Sequence, residues 1–350
     1  MFSLNTYKAI EWCVYRRVPF VAYIAPGEKK GRFFSAPSLL QKPLEQAPKE
    51  GFFMGKFNEK SPDYLWVPFE LDGEQTWKQR FSLPDNSTMP DPAPLPDTKR
   101  EDYIRDVSTL IKNLELDGRK TVISRVKTEY FVDRSINDLL ENLFAASGGC
   151  FAYCCYHPAA GFWMGSSPEI VYYKDSKAHN FFTMALAGTV GKNDEWDEKN
   201  ITEQEIVAGD ILVRLQEMGL DPYVFDHEDR IFGSIKHKCS LLGAQPGQFT
   251  PFEIIDAITP TAALCGYPRD IALKDIASIE KHPRSYYGGV IGVITKKETI
   301  AYANIRCVNF HKSRFTFYAG GGIMPESVAE NEWEETNKKI SSLMAKMLTD

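Results

Sequence analysis

The sequence predicts a mixed α/β chain of the α+β kind, with most strands joined by hairpins and helices set between groups of strands. Three observations carry this. Short β-branched and aromatic runs recur between Gly, Pro and Asn punctuation. Several stretches repeat apolar residues at helical spacing behind capping residues. The chain is 43% hydrophobic and 25% charged, with 22 Phe and 16 Tyr, which is ample core material for a globular protein. Regular βαβ alternation is absent from this pattern.

Residues 1–97 read as N-terminal strands and a connector belonging to the same fold as the rest. Trp12–Tyr15, Phe20–Ile24 and Gly51–Met54 have the look of short strands. Leu83–Asp97 carries prolines at 84, 90, 92, 94 and 96, so it is neither a helix nor an inner strand but an exposed connector. Residues 98–350 hold every motif with chemistry. Thr98-Lys99-Arg100-Glu101 has the form of a capping box. Tyr103, Ile104, Val107, Leu110, Ile111 and Leu114 follow at helical spacing, with Gly118 placed to end the helix. Lys120–Val126 is a β-branched strand. A lysine at a strand mouth is ordinarily a solvated end; to serve as a base it needs burial or a neighbouring cation to depress its pKa.

Ser135–Ala146 is a capped amphipathic helix, and Phe151–Tyr156 with Gly161–Met164 form a hairpin around 157–160. Glu169 follows at a strand-entry turn, before Ile170–Tyr173; a carboxyl among apolar neighbours can be held protonated and donate. Phe181–Thr189 is an apolar strand ending in Gly188-Thr189. A helix runs from about Asn200 to Met218, with Glu203 in its first turn, where the helix dipole alone favours an acid. Thr250 opens a short helix with Pro251 at its first position. Thr259–Pro268 is a loop of small residues, Pro268–Ile279 a helix, and Tyr286–Ile294 and Thr299–Cys307 strands. Glycines inside the first of these signal close backbone approach.

The C-terminal stretch gathers the most chemistry. After Phe315–Tyr318 comes Gly320-Gly321-Gly322, read as a turn whose bare N–H groups could cradle an anion. Glu332 and Glu335 then share a helix face, which suits a hard cation such as Mg²⁺. Arg306 can clamp a carboxylate bidentately.

Composition excludes other classes. A net charge of −6 argues against nucleic acid. No apolar run is long enough to span a bilayer, and Met1–Glu11 lacks the form of a signal peptide. The seven cysteines form no CxxC pair and the six histidines no ligand spacing, which points to a reducing cytoplasm.

The ordered set resembles the chorismate-utilising enzymes. The markers are Lys120–Arg125, Ser167–Glu169, Ala185–Thr189, Glu203–Val207, Pro260–Gly266, Tyr287–Gly289, Ile305–Cys307, Ala319–Ile323 and Glu332–Thr336, in the family's order across residues 98–345. Singly each is weak. The resemblance implies two large, mostly antiparallel sheets packed face to face with helices outside, as in anthranilate and aminodeoxychorismate synthases. It implies a chorismate-binding core over 98–350, with Lys120 as general base and Glu169 as general acid. Glu203 and Glu335 would hold Mg²⁺ with Glu332 beside them. Arg306 and Tyr287 would hold the pyruvyl carboxylate, and Gly188, Thr189, Gly320, Gly322 and Lys339 would line the ring carboxylate and metal.

Within the family the sequence is most like isochorismate synthases of the menaquinone or siderophore type. Ala187 stands where aminodeoxychorismate synthases often carry a nucleophilic lysine, and Ala263-Leu264-Cys265-Gly266 looks like the isochorismate branch. The alternatives are a chorismate lyase giving salicylate and an ammonia-using synthase subunit. A monomer is adequate at this size. Two departures stand out: Thr259 where many members have histidine, expected near the ring, and Asn200 where an acid before the metal glutamate is common.

Overall fold

The computed structural model describes residues 2–42, 44–83, 95–116, 119–131, 134–232, 235–311 and 314–348. The chain opens with helix α1 (Leu4–Arg16), strands β1 (Phe20–Ile24), β2 (Arg32–Ser35), β3 (Gly51–Gly55), β4 (Leu65–Pro68) and β5 (Leu71–Asp72), and helix α2 (Gly73–Gln79). Next come α3 (Arg100–Leu114), β6 (Lys120–Tyr130), α4 (Ile136–Ala145), β7 (Phe151–His157), β8 (Gly161–Ser167), β9 (Ile170–Asp175) and β10 (Phe181–Gly191). They are followed by α5 (Glu198–Glu217), β11 (Tyr223–Phe232), β12 (Ile235–Ala244), α6 (Pro251–Ile258), β13 (Gly266–Tyr267) and α7 (Arg269–Ile279). Strands β14 (Val290–Ile294), β15 (Glu298–Ala303), β16 (Cys307–His311) and β17 (Arg314–Ile323) lead to α8 (Ala329–Leu348).

Two sheets result. One has nine strands in the order β13-β6-β17-β16-β8-β7-β1-β2-β5, the other eight in the order β11-β12-β10-β9-β15-β14-β3-β4. Neighbouring strands pair antiparallel, as in β6 with β17 and β10 with β12. The inner faces meet in an aromatic core where Tyr23, Phe151, Tyr153 and Trp163 of one sheet pack with Phe52, Met54, Ile291 and Tyr302 of the other. Helices α1, α4 and α8 cover the outer face of the larger sheet, and α5 and α6 that of the smaller. This is the expected two-sheet architecture. Strands β1, β2 and β5 belong to the larger sheet and β3 and β4 to the smaller, so residues 1–97 contribute to both.

Several local expectations are corrected. Trp12–Tyr15 is helical, because Ser3 caps α1 by accepting from the Thr6 N–H and Ala9, Ile10 and Cys13 line up on its buried face. The Thr98 capping box does not form: α3 starts behind Lys99 without a side-chain cap, and Thr98 Oγ1 instead accepts from the Val126 N–H at 3.1 Å. Gly320–Gly322 is not a turn but the end of β17, paired with Ser124–Val122 of β6. Tyr286–Gly289 is a turn, and its strand starts at Val290. Thr299–Cys307 breaks at Arg306, whose φ of 49° lies in the left-handed region and ends the extended run. The hairpin β11–β12 went unread, since its polar sequence shows no apolar alternation. Residues 84–94 of the connector and Gly118 lie outside the described residues.

Gly292 shows why a glycine sits inside β14. A Cβ there would stand 2.2 Å from the Ile300 carbonyl oxygen and 2.5 Å from the Phe53 ring. Gly292→Ala is expected to destabilise the fold by about 1–3 kcal/mol, as overpacking does, read from a urea melt.

Candidate active site

Strand ends and helix starts converge at one side of the sandwich. A cavity of about 840 Å³, its open mouth included, is lined there by Glu169, Gly188, Thr189, Glu203, Tyr287, Arg306, Gly320, Gly322, Glu335 and Lys339. These are ten of the twelve site residues named from sequence. The other two, Lys120 and Glu332, are not in this wall: Lys120 is 0% exposed, with Nζ 2.9 Å from Glu203 Oε1, and Glu332 is 2% exposed.

Each acid on the helix side of the site faces a lysine. Lys120 pairs with Glu203, Lys199 with Glu332 at 2.7 Å, and Lys339 with Glu335 at 2.6 Å. Burying one carboxylate alone would cost several kcal/mol, so the charges come in together. Burial pushes the Glu332 carboxyl up, with Lys199 opposing. Burial also raises Glu335, but Lys339 and other cations outweigh it and hold that carboxyl below its ordinary value.

The glycine triplet makes this gathering possible. A Cβ on Gly322 would lie 2.3 Å from Glu203 Oε1, one on Gly321 3.1 Å from Glu332 Oε2, and one on Gly320 2.8 Å from the Tyr287 hydroxyl. The bare strand lets side chains from α5, α8 and the turn before β14 reach the same spot. Its role is close approach rather than an anion-cradling turn. Lys339 Nζ closes the corner by donating to the Gly320 carbonyl at 2.8 Å.

The donor set fits a hard divalent cation. Glu203 on α5 and Glu335 on α8 both line the cavity, and Glu332 Oε2 is buried with no hydrogen-bond partner among the described residues. Those residues include no group of three ligating side chains already gathered as a cage. Mg²⁺ ordinarily takes one or two carboxylates and completes its shell with water and substrate oxygens, so two or three glutamates suffice.

Across the cavity the environment reverses. Glu169, at the β8–β9 turn, is 2% exposed, and Oε1 has no hydrogen-bond partner among the described residues. Burial lifts its pKa to about 8, against the pull of Lys120 and Arg306. The carboxyl is therefore protonated at neutral pH. Burial also keeps the Tyr287 phenol protonated, as a donor.

His237 on β12 was missed from sequence. Its Nε2 accepts from Arg306 at 3.0 Å, while Nδ1 sits 3.1 Å from the Gly188 carbonyl and 3.0 Å from Thr189 Oγ1. Accepting from a guanidinium fixes the Nδ1–H tautomer. Burial, then Arg306, drives its pKa down to about 3, so the ring is neutral. One imidazole thus ties the Gly188–Thr189 corner to the arginine. Lys236-His237-Lys238 bears no motif spacing, so only the pairing of β10 with β12 reveals it.

The two departures find structural explanations. Thr259 is not in the cavity wall; its Oγ1 donates to the Ile255 carbonyl at 2.7 Å and finishes α6. Asn200 accepts from the Thr189 N–H at 2.7 Å and donates to Asp197 Oδ1 at 2.7 Å. An acid could not do both, so the amide belongs to the Gly188–Thr189 corner.

Residues 72–348 match the family described as chorismate binding enzyme. The chain is 24% identical over 312 residues to isochorismate synthase EntC of Escherichia coli K12, covering 82% of this chain and 78% of that one. It is 30% identical over 206 residues to isochorismate synthase MenF of the same strain, covering 54% of this chain and 47% of that one. The structure of MenF, the menaquinone-specific isochorismate synthase from Escherichia coli, superposes with a TM-score of 0.74 at 20% identity, over 97% of this chain and 91% of the other. Anthranilate synthase component I from Streptococcus pneumoniae superposes at 0.66 and 18%, over 93% and 92%.

Gly322→Ala would displace Glu203 from its place beside Lys120. Calorimetry is expected to show Mg²⁺ affinity falling roughly tenfold, the upper range for disturbing a ligand's support being about a hundredfold. An unchanged affinity in a folded variant would remove Glu203 from the metal set.

Proposed function

The chain belongs to the chorismate-binding enzymes, and from that premise we propose that it is a Mg²⁺-dependent isochorismate synthase. The observation that carries the reading is one cavity walled by a carboxyl held protonated at Glu169, an arginine clamp and paired carboxylates, with the Lys120 amine directly behind the wall on Glu203. Chorismate is a dianion, and the cavity meets both of its charges. Arg306, oriented by His237, and the Tyr287 hydroxyl bind the pyruvyl carboxylate. Glu203 and Glu335 would hold Mg²⁺, which would supply positive charge beside the ring carboxylate.

Lys120 takes a proton from the water that attacks one ring carbon. Glu169 gives its proton to the hydroxyl leaving from another, which departs as water. One water enters and one leaves, so the reaction is an isomerisation. Ala187, Ala263 and Leu264 form an apolar stretch of wall, so position 187 offers no amine to attack the ring. One copy contains the whole cavity. Seven buried, unpaired cysteines support a reducing cytoplasm. No helix of the described residues is long and apolar enough to cross a membrane.

The primary test is product analysis. Chorismate incubated with the protein and Mg²⁺ is expected to give isochorismate without pyruvate, and chelation to stop it. Salicylate with pyruvate would place the chain in the lyase branch.

The acid also sets the pH dependence. The protonated fraction of Glu169 is complete well below pH 8 and is lost as pH rises through about 8. Turnover is therefore expected to fall on the alkaline side with a one-proton slope near that value. Glu169→Gln should lower kcat by about 10²–10⁴-fold, the usual contribution of a positioned acid, and abolish that limb of the profile. Lys120→Ala should cost a similar factor; turnover at the wild-type rate would exclude it as the base.

A further inference from the structure

The smaller sheet ends on β11, and no described strand covers its outer edge. A bare edge presents unpaired N–H and C=O groups to any matching strand, and proteins usually block it with proline, charge or a bulge. Tyr223–Phe232 contains no proline, and Phe225 and Ile231 stand 49% and 52% exposed on it. A register shift between Val224 and Asp226 leaves Phe225 out of the β12 register and bends that end of the edge.

The order of residues along this edge is self-complementary. From Phe225 it reads Phe-Asp-His-Glu-Asp-Arg-Ile. Turned antiparallel about Glu228, Phe225 meets Ile231, Asp226 meets Arg230 and His227 meets Asp229, each pair occurring twice. We propose that β11 is a self-association edge, pairing with β11 of a second copy about a two-fold axis through Glu228 to continue the sheet across two chains. An isologous contact of this kind requires such a palindrome.

Other registers fail. An antiparallel ladder pairs residues of like hydrogen-bonding type, so the pairing slips by two. In one direction Asp226 then faces Glu228 and Phe225 faces Asp229; in the other Glu228 meets Arg230, but Asp229 faces itself and His227 faces Ile231. In the favoured register only Glu228 faces its like, and it is ion-paired with Arg230 of its own chain. Asp226 now accepts from the adjacent His227 N–H at 2.8 Å, and Asp229 from Trp196 Nε1 at 3.0 Å. Pairing exchanges the first contact for Arg230 of the second copy and adds to the second. The contact is short, so the dimer is reversible and concentration-dependent. It leaves the cavity intact, since none of residues 225–231 lines it.

Sedimentation of the full chain between about 1 and 200 μM, the range for a reversible contact, is expected to show mass rising from one copy towards two. Asp226→Arg and Arg230→Asp each set like charges opposite one another twice, and should each weaken the dimer roughly tenfold. The combined swap should restore it. Thermal melts establish that each variant is folded, and Phe225→Lys replaces any that is not. A constant single-copy mass across the range overturns the proposal, as does a double swap that pairs no better than its parents.

Discussion

Lys120 is held out of water by Glu203 at 2.9 Å, one from the start of β6 and the other from the first turns of α5. Neither could be buried alone, because an isolated ion in the interior costs several kcal/mol. The same necessity recurs at buried Glu332 with Lys199, and the partly exposed Lys339–Glu335 pair adds to it, so α5 and α8 are tied to the site by charge as well as by packing. The condition for all of it is a strand without side chains. Gly320–Gly322 leaves the room that two carboxylates and a phenol occupy.

A single cavity therefore contains two electrostatic regimes. On the helix side lysines compensate the acids, and the carboxylates remain available to a cation. On the strand side Glu169 has burial without a hydrogen bond on Oε1, and it keeps its proton to about pH 8. A carboxyl that keeps its proton and carboxylates that stay ionised can share one cavity only if their surroundings differ in this way. Arg306 stands between them, and its left-handed backbone turns the chain from β15 into β16. His237 links it to the Gly188–Thr189 corner, whose backbone Asn200 fixes from α5.

Much of this was legible in the residue order, because helix caps and β-branched runs are local. The Ser135 and Thr250 capping boxes form as their spacing suggests. Where a local signal failed, a distant partner had won. Thr98 caps nothing because its hydroxyl meets the Val126 N–H of a neighbouring strand, and Trp12–Tyr15 is helical because its apolar residues face a core assembled from strands far along the chain. Thr259 carries the same lesson for the site, since a position in a motif does not place its side chain in the cavity.

The sequence by itself determined the chemistry on offer: which acids, amines and guanidinium the chain carries, in an order shared with a family whose resemblance implies two sheets. Only the tertiary structure decided what each group is for. It put Lys120 behind the wall on Glu203, made the glycine triplet a gap rather than a turn, brought in His237 from a hairpin with no motif, and left β11 as an edge. The reason is that pKa, pairing and exposure depend on neighbours through space, and those neighbours are set by strand pairing between segments distant in sequence.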